Sequence, residues 1–320
     1  MTTSTTLWVT FTLLVIVMLA VDLGLNRKSH RVSFKEALSW SLIWLGLALA
    51  FNIGIYFMLG KQQALEFFTG YLIEKALAVD NLFVFIMIFT VFGVRDELQA
   101  RVLKWGILGA LVMRVIFIFL GAELLQRFQW LFYIFGAVLL YTAWKMAFGV
   151  GTEIKPEQNL LVRLASRLLP MTRKIRGDWF IVRRRGIWVA SPLLVVLLMV
   201  ESCDLVFALD SIPAIFAITL DPFIVLTSNV FAIMGLRSLY FLLAGVMGMF
   251  IYLKYGISFI LAFVGVKMIL IMLGVHVPIS ISLTVIVLSL VTAIVWSLYA
   301  VRSGAASGSP LQNSGLPDGA

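Results

Sequence analysis

The residues of this sequence that could do chemistry are carboxylates set in apolar surroundings. Glu74 and Asp80 stand six apart in EKALAVDN, Asp204 and Asp210 stand six apart in DLVFALDS, and Glu201 precedes Asp204 by three. Asp22 is a sixth acid, near the end of the first apolar run. Five bases share these stretches: Lys75, Arg114, Lys145, Arg237 and Lys267. A lone charge at the middle of a bilayer costs about 3 kcal/mol even on a lenient insertion scale. Charges in this number must therefore pair or line a wet cavity. A structural ion-pair network is one reading, since six acids and five bases nearly balance. A site for cations or protons is the other, and recurrence of the carboxylate pair favours it. Asp22 and Lys145 fall near the inner ends of their runs, where a side chain can snorkel, so they carry less weight.

The spacing constrains how such a site works. Six residues turn a helix through roughly 600° and raise it about 9 Å, so Glu74 and Asp80 cannot grip one ion from an unbroken helix. Either the two act at different depths or the helix is interrupted. In the second block Pro213 removes a hydrogen bond to the Leu209 carbonyl and predicts an interruption beside Asp210, although a simple kink also fits. Freed carbonyls at membrane depth make good cation ligands where they line a cavity. Glu201 and Asp204 share a helix face, and two carboxylates so close repel unless a cation or a proton sits between them. The donors on offer are oxygens, which suit Mg²⁺, Ca²⁺ and Mn²⁺ and do not separate Mn²⁺ from Ca²⁺. The sequence has one cysteine, Cys203, and two histidines, His30 and His276, both near segment ends, so a zinc site built on them is not expected.

Elements able to hold these groups must cross a membrane. Of 320 residues, 62% are hydrophobic and only 13% charged, too few polar groups to cover a water-facing surface. The expected fold is an all-α polytopic membrane protein with about nine transmembrane helices, near 7–25, 34–59, 64–93, 98–121, 128–148, 191–218, 222–247, 251–275 and 278–301. The first run is too long for a cleaved signal peptide and long enough to span. Residues 1–302 form the transmembrane domain, 149–190 a basic cytoplasmic loop within it, and 303–320 a disordered Gly/Ser/Pro-rich tail. Leu160, Leu161, Leu164 and Leu168 share a helical face in that loop and predict an amphipathic helix on the anionic inner leaflet. With the N-terminus outside, eighteen basic residues fall on the inner side and two, Lys61 and Arg127, on the outer. That asymmetry predicts an outside N-terminus and a cytoplasmic C-terminus. The net charge of +9 thereby reflects topology and not a nucleic-acid partner.

Two blocks of three spans match each other. After the paired acids come RVIFIFLG from Arg114 and RSLYFLLAG from Arg237, then Tyr133 with Lys145-Met146 and Tyr255 with Lys267-Met268, each Tyr twelve before its Lys. Asn81 in one block stands where Ser211 stands in the other. Under the expected topology the blocks, helices three to five and six to eight, run in opposite directions. Such a 3+3 inverted-topology repeat is a transporter architecture with its site near the midplane.

At GYLIEKALAVDN and VESCDLVFALDSIPAIFAITLDPFIVLTSNVFAIMGLR the sequence resembles the TerC/Alx family of bacterial inner-membrane proteins, from AVDLGL to the last span. The resemblance is closest to the Alx-type manganese exporters. It implies export of Mn²⁺, carried as substrate with no resident cofactor, through a site built from Glu74, Asp80, Asn81, Glu201, Asp204, Asp210 and Ser211. Asp22 matches an acidic position of the family with less weight. On this reading Asp80 and Asp210 hold the ion directly, Glu74 and Asp204 are their symmetric partners for metal or protons, and Glu201 relays protons. Arg114, Arg237 and Lys75 are counter-ions. The family is also tied to tellurite resistance and to the alkaline-pH response.

Three functions are weighed: an Mn²⁺ exporter driven by proton entry, a Ca²⁺/H⁺ exchanger on the same scaffold, and a non-transporting platform that docks stress-response proteins on the basic loop. The partners expected are a divalent metal ion, protons and membrane lipid, with no nucleic acid; a second copy of the chain and stress proteins at the loop are left open. An enzyme is not expected, for no nucleophile–His pair, Gly-rich phosphate loop or HExxH occurs, although hydrolase chemistry at Asp80 and Asp210 is formally open.

Overall fold

A computed structural model describes residues 5–24, 33–149, 162, 179–184, 187–245 and 252–302. Among these the chain is helical, with one short hairpin. The helices are α1 (Thr5–Gly24), α2 (Phe34–Met58), α3 (Lys61–Val91), α4 (Asp96–Arg127), α5 (Leu131–Phe148), α6 (Pro192–Phe216), α7 (Pro222–Ile233), α8 (Leu236–Ala244), α9 (Leu253–Met272) and α10 (Ile279–Arg302). Seven are long and apolar enough to cross a membrane, and α7 with α8, bent by 42° at a short break, makes an eighth candidate. The expected count of about nine included a span at 64–93. The helix there, α3, is long enough to cross, but Glu74, Lys75 and Asp80 set it apart by composition.

Local sequence explains several boundaries. Ser33 caps α2 by accepting from the Glu36 N–H at 3.3 Å. Asp221 caps α7, accepting from the Phe223 N–H at 2.9 Å, with Pro222 at the first helical position where its missing donor costs nothing. Between α7 and α8, Gly235 takes φ +79°, a left-handed conformation that glycine adopts freely.

α7 is the hub. Every residue from Phe223 to Ile233 is buried, so its polar side chains Thr227, Ser228 and Asn229 face protein on all sides. α3 and α4 pack along it, and α1 and α2 touch it. α5 and α9 form the closest crossing. A Cβ on Gly136 would lie 2.9 Å from the Gly265 carbonyl oxygen, and a Cβ on Gly265 equally near the Gly136 carbonyl oxygen. Gly136 also neighbours Ile269, and Gly265 neighbours Leu139 and Leu140, so the two glycines sit at the centre of the crossing. Small residues permit this approach where no hydrophobic drive between helices exists. The outer faces carry exposed apolar side chains, such as Leu13 and Val17 on α1 and Val291 and Val295 on α10, as a lipid-facing surface must.

Two expectations need correction. The interruption expected at Pro213 does not occur: α6 continues through it to Phe216. Pro213 lacks only the N–H that would meet the Leu209 carbonyl, and the buried turn beyond it stays bonded, with the Ala217 N–H donating to the Pro213 carbonyl at 3.1 Å. The real break lies in the next element, at Met234–Gly235. The long polar insertion also contains a β-hairpin, Ile181–Arg184 paired antiparallel with Ile187–Ala190, which an all-α reading missed. The Arg101 guanidinium of α4 lies 5.5 Å from the Trp179 ring and 5.7 Å from the Phe180 ring, tying the hairpin base to the bundle. The expected amphipathic helix lies outside the described residues apart from Val162, as do residues 303–320.

Candidate functional site

Four helices deliver one polar cluster to the middle of the bundle. α3 brings Glu74, α4 Arg114, α6 Ser211 and α7 Asn229, all at most 4% exposed. A single atom organises them. Arg114 Nη1 pairs with Glu74 Oε1, donates to Asn229 Oδ1 at 2.6 Å, and reaches Ser211 Oγ at 3.3 Å. Asn229 is held for this task because its Nδ2 donates to the Val225 carbonyl at 2.9 Å, which leaves Oδ1 to accept. A guanidinium nitrogen carries only two hydrogens, yet three oxygens converge on it. Glu74 meets Nη1 as an ion pair, and among the described residues neither Glu74 oxygen has a hydrogen-bond partner. Nη1 thus sits where a coordinated cation would sit.

α6 extends the cluster. Asp204, 5% exposed, interacts electrostatically with both Arg114 and Glu74. Glu201, one turn earlier and half-buried, interacts with Asp204. Its carboxylate lies flat against α4 at Gly109, where a Cβ would collide with both carboxylate oxygens. Glu201, Asp204 and the Glu74–Arg114 pair therefore form a sequence of acidic groups running from the half-exposed flank of α6 into the hub.

The other predicted site residues have different surroundings. Asp210 is half-buried, accepts from Thr142 Oγ1 of α5 at 2.8 Å and interacts with Lys145, which is exposed. Asp80 is half-buried with Lys254 of α9 as its nearest cationic influence. Asn81 is buried. Asp22, read from sequence as near the interface, is 6% exposed and paired: Arg237 Nη2 lies 3.2 Å from Asp22 Oδ1 and donates to the Asp22 carbonyl at 2.8 Å. Arg114 and Arg237 match in sequence but not in surroundings, since Arg237 serves α1. Lys267 donates to Ser282 of α10 at 3.0 Å. Lys75 Nζ donates to two main-chain carbonyls, those of Ala232 and Met234, and not to a carboxylate. Among the described residues, no three His, Cys, Asp or Glu side chains converge closely enough to hold a metal ion by themselves. Ligation at the hub would draw on Asn229 and Ser211.

Asn229, Thr142 and Gly109 are the participants that sequence reasoning missed. The signal for Asn229 was present in the Thr-Ser-Asn run at 227–229, three polar residues in an otherwise apolar span.

A family model described as "Integral membrane protein TerC family" matches residues 59–305. The chain belongs to the TerC family. The match begins where α3 begins and takes in every hub residue, while α1, α2 and Asp22 precede it. Among relatives, a Myxococcus xanthus protein named as an uncharacterized membrane protein is 51% identical over 297 residues, covering 92% of this chain and 93% of that protein. Alx of Escherichia coli (strain K12), whose name proposes a membrane-bound redox modulator, is 50% identical over 290 residues, covering 88% and 90%. The thylakoid membrane protein TERC of Arabidopsis thaliana is 42% identical over 275 residues, covering 86% and 72%. No solved structure matches this TerC chain.

Proposed function

We propose that this TerC-family protein exports a divalent cation, Mn²⁺ foremost, across the bacterial inner membrane by alternating access, with protons entering in exchange. The observation that carries this reading is the convergence of three oxygens from α3, α6 and α7 on Arg114 Nη1. A carboxylate, an amide oxygen and a hydroxyl are hard donors of the kind that Mn²⁺ and Ca²⁺ take. Arg114 keeps that pocket neutral when no metal is bound, and an arriving ion displaces the guanidinium. Asp204 and Glu201 supply the two further acids needed to exchange a doubly charged ion for protons.

The energetics require such coupling. Moving two positive charges out against an inside-negative potential costs about 4.6 kcal/mol per 100 mV. Two protons in for one divalent ion out is electrically silent, and a carboxylate that holds either a proton or the metal couples the two by exclusion. The two matched sequence blocks support an inverted repeat, and their third members, α5 and α9, pack closely together. The basic residues of the inner loops support a cytoplasmic C-terminus. The redox role in the name of the Alx relatives has no intrachain dithiol to rest on here, as Cys203 is the sole cysteine.

The test is elemental analysis of Mn in cells that lack other manganese exporters and are loaded with Mn²⁺, comparing wild type with Glu74→Gln, Asp204→Asn, Asp80→Asn and Asp210→Asn at equal membrane levels. Wild type is expected to lower cell Mn, with Glu74→Gln and Asp204→Asn failing. If wild type leaves Mn unchanged the manganese reading falls. Reconstituted protein that moves Ca²⁺ and ignores Mn²⁺ would transfer the mechanism to calcium. Efflux that survives Asp80→Asn and Asp210→Asn would place the ion at the hub alone.

A further inference from the structure

Lys75 is adjacent to Glu74 in sequence and interacts with it electrostatically, but its hydrogen bonds go elsewhere. Its Nζ donates to the carbonyl oxygen of Ala232 at 2.8 Å and lies 3.3 Å from that of Met234. Both carbonyls belong to the end of α7, where the helix stops at Ile233, Met234 takes φ −57° and ψ 132°, and Gly235 turns the chain into α8. The last carbonyls of a helix have no intrahelical donor, and together they carry about half a negative charge. Water would ordinarily meet them, but Ile233, Met234 and Leu236 are buried. The Tyr71 ring, with its centroid 5.8 Å from Nζ, adds an electron-rich face.

Two carbonyls aimed at one point, a helix's negative end and an aromatic face make the donor set of a small monovalent cation site. Broken helices in membrane transporters bind such cations at their unwound carbonyls. Here the point is filled by an ammonium on a tether. Glu74 attracts the ammonium electrostatically but makes no salt bridge with it, being paired with Arg114, so the hydrogen-bonded contacts of Nζ are the two carbonyls. The matched block points the same way. Leu205 stands where Lys75 stands, and α4, the counterpart of α7 and α8, runs unbroken from Asp96 to Arg127. The lysine and the helix break occur together.

We propose that the Ala232 and Met234 carbonyls at the α7–α8 break form a monovalent-cation site whose resident cation is the Lys75 ammonium. The protein carries its own ion there and needs no Na⁺ or K⁺ to hold the broken helix. This inference does not depend on which substrate the protein moves.

The test is thermal unfolding of the purified full chain in detergent, at matched ionic strength, in chloride salts of sodium, potassium, methylammonium and the bulky cation N-methyl-D-glucamine. Wild type should melt at the same temperature in all four. Lys75→Ala should melt lower in N-methyl-D-glucamine and recover by several degrees, saturably, in at least one small cation. Lys75→Gln separates charge from hydrogen bonding, since an amide can donate to both carbonyls without bringing a charge. It should remain below wild type. The proposal is overturned if Lys75→Ala is equally stable in all four salts, or if Lys75→Gln equals wild type. If Lys75→Ala cannot be extracted folded, its recovery during solubilisation in potassium or methylammonium, against none in N-methyl-D-glucamine, supports the proposal equally, and absence of recovery in every salt overturns it.

Discussion

Replacing Arg114 by alanine tests the hub most directly. Glu74 is 0% exposed and Arg114 4%, so the substitution leaves a carboxylate in the bundle core without its salt-bridge partner, with only the electrostatic pull of Lys75 remaining. Breaking one side of a buried ion pair costs about 3–5 kcal/mol, most of it from the uncompensated charge. Asn229 Oδ1 loses a charge-assisted hydrogen bond as well, but the two losses share one side chain and do not add. The expected effect of Arg114→Ala is therefore a stability loss of about 3–5 kcal/mol. Glu74→Gln in the same chain removes the orphaned charge, so the double variant should be more stable than Arg114→Ala alone. If Arg114 stands in for a cation, Mn²⁺ should stabilise Arg114→Ala at lower concentration than it stabilises wild type, by about 2.7 kcal/mol at a hundredfold excess over Kd. It should not stabilise the double variant. The assay is thermal unfolding in detergent across a Mn²⁺ titration. An Arg114→Ala protein as stable as wild type, or a double variant no better than the single, would refute the pairing. Equal metal response in all three proteins would refute the stand-in role.

Two further outcomes follow from close approaches of glycine. Gly235→Ala must hold a side chain at φ +79° with its Cβ 2.6 Å from Trp44 Cδ1, so it should cost at least about 1–3 kcal/mol in detergent unfolding; an unchanged melting temperature would mean the break can be rebuilt. Gly109→Ala should push the Glu201 carboxylate off α4 and reduce metal efflux as Glu201→Gln does, with little change in membrane level. Full efflux by Gly109→Ala would show that Glu201 does not act from that position.

Much of this fold is legible in sequence because membrane spans obey a simple physical rule: every backbone polar group must be satisfied inside the segment, which leaves long apolar helices. The intramembrane charges are equally legible as anomalies. What could not be read is which charges meet. Arg114 and Arg237 open matching motifs, yet one finds Glu74, Ser211 and Asn229 while the other finds Asp22 in a helix outside both blocks. Spacing along one helix fixes direction but not the neighbour it faces, so Glu74 and Asp80, six apart, could be assigned different depths but not different partners. The helix break was placed at Pro213 because proline is the strongest local signal. The break at Met234–Gly235 depends on burial, a lysine from α3 and a close contact with Trp44, none of them local in sequence. Asn229 was passed over for a related reason, since an amide in an apolar run is silent until a charged partner reaches it.

The unequal surroundings of the two arginines bear on how an exchanger of this design would move. In an alternating-access mechanism built on an inverted repeat, the second state gives each block the arrangement that the other holds in the first. Arg114 lies in the hub while Arg237 is tied to Asp22 by an ion pair of 3.2 Å and a main-chain hydrogen bond of 2.8 Å. On that mechanism the opposite state would require Arg237 to leave α1, and the Asp22 contact would be a bias toward the present state. Asp22→Asn keeps the size and the main-chain bond but removes the charge, weakening the bias by the difference between a charged and a neutral hydrogen bond, about 1 kcal/mol. That shifts a two-state equilibrium by roughly fivefold. Cys203, half-buried beside Asp204 and the sole thiol in the chain, reports the shift without engineering. The rate at which a membrane-impermeant maleimide labels it from one side of a sealed vesicle should change severalfold in Asp22→Asn, in the direction opposite to labelling from the other side. Identical rates from both sides, with metal efflux also unchanged, would mean that the Asp22–Arg237 pair is a static tie between α1 and α8 and takes no part in the transition.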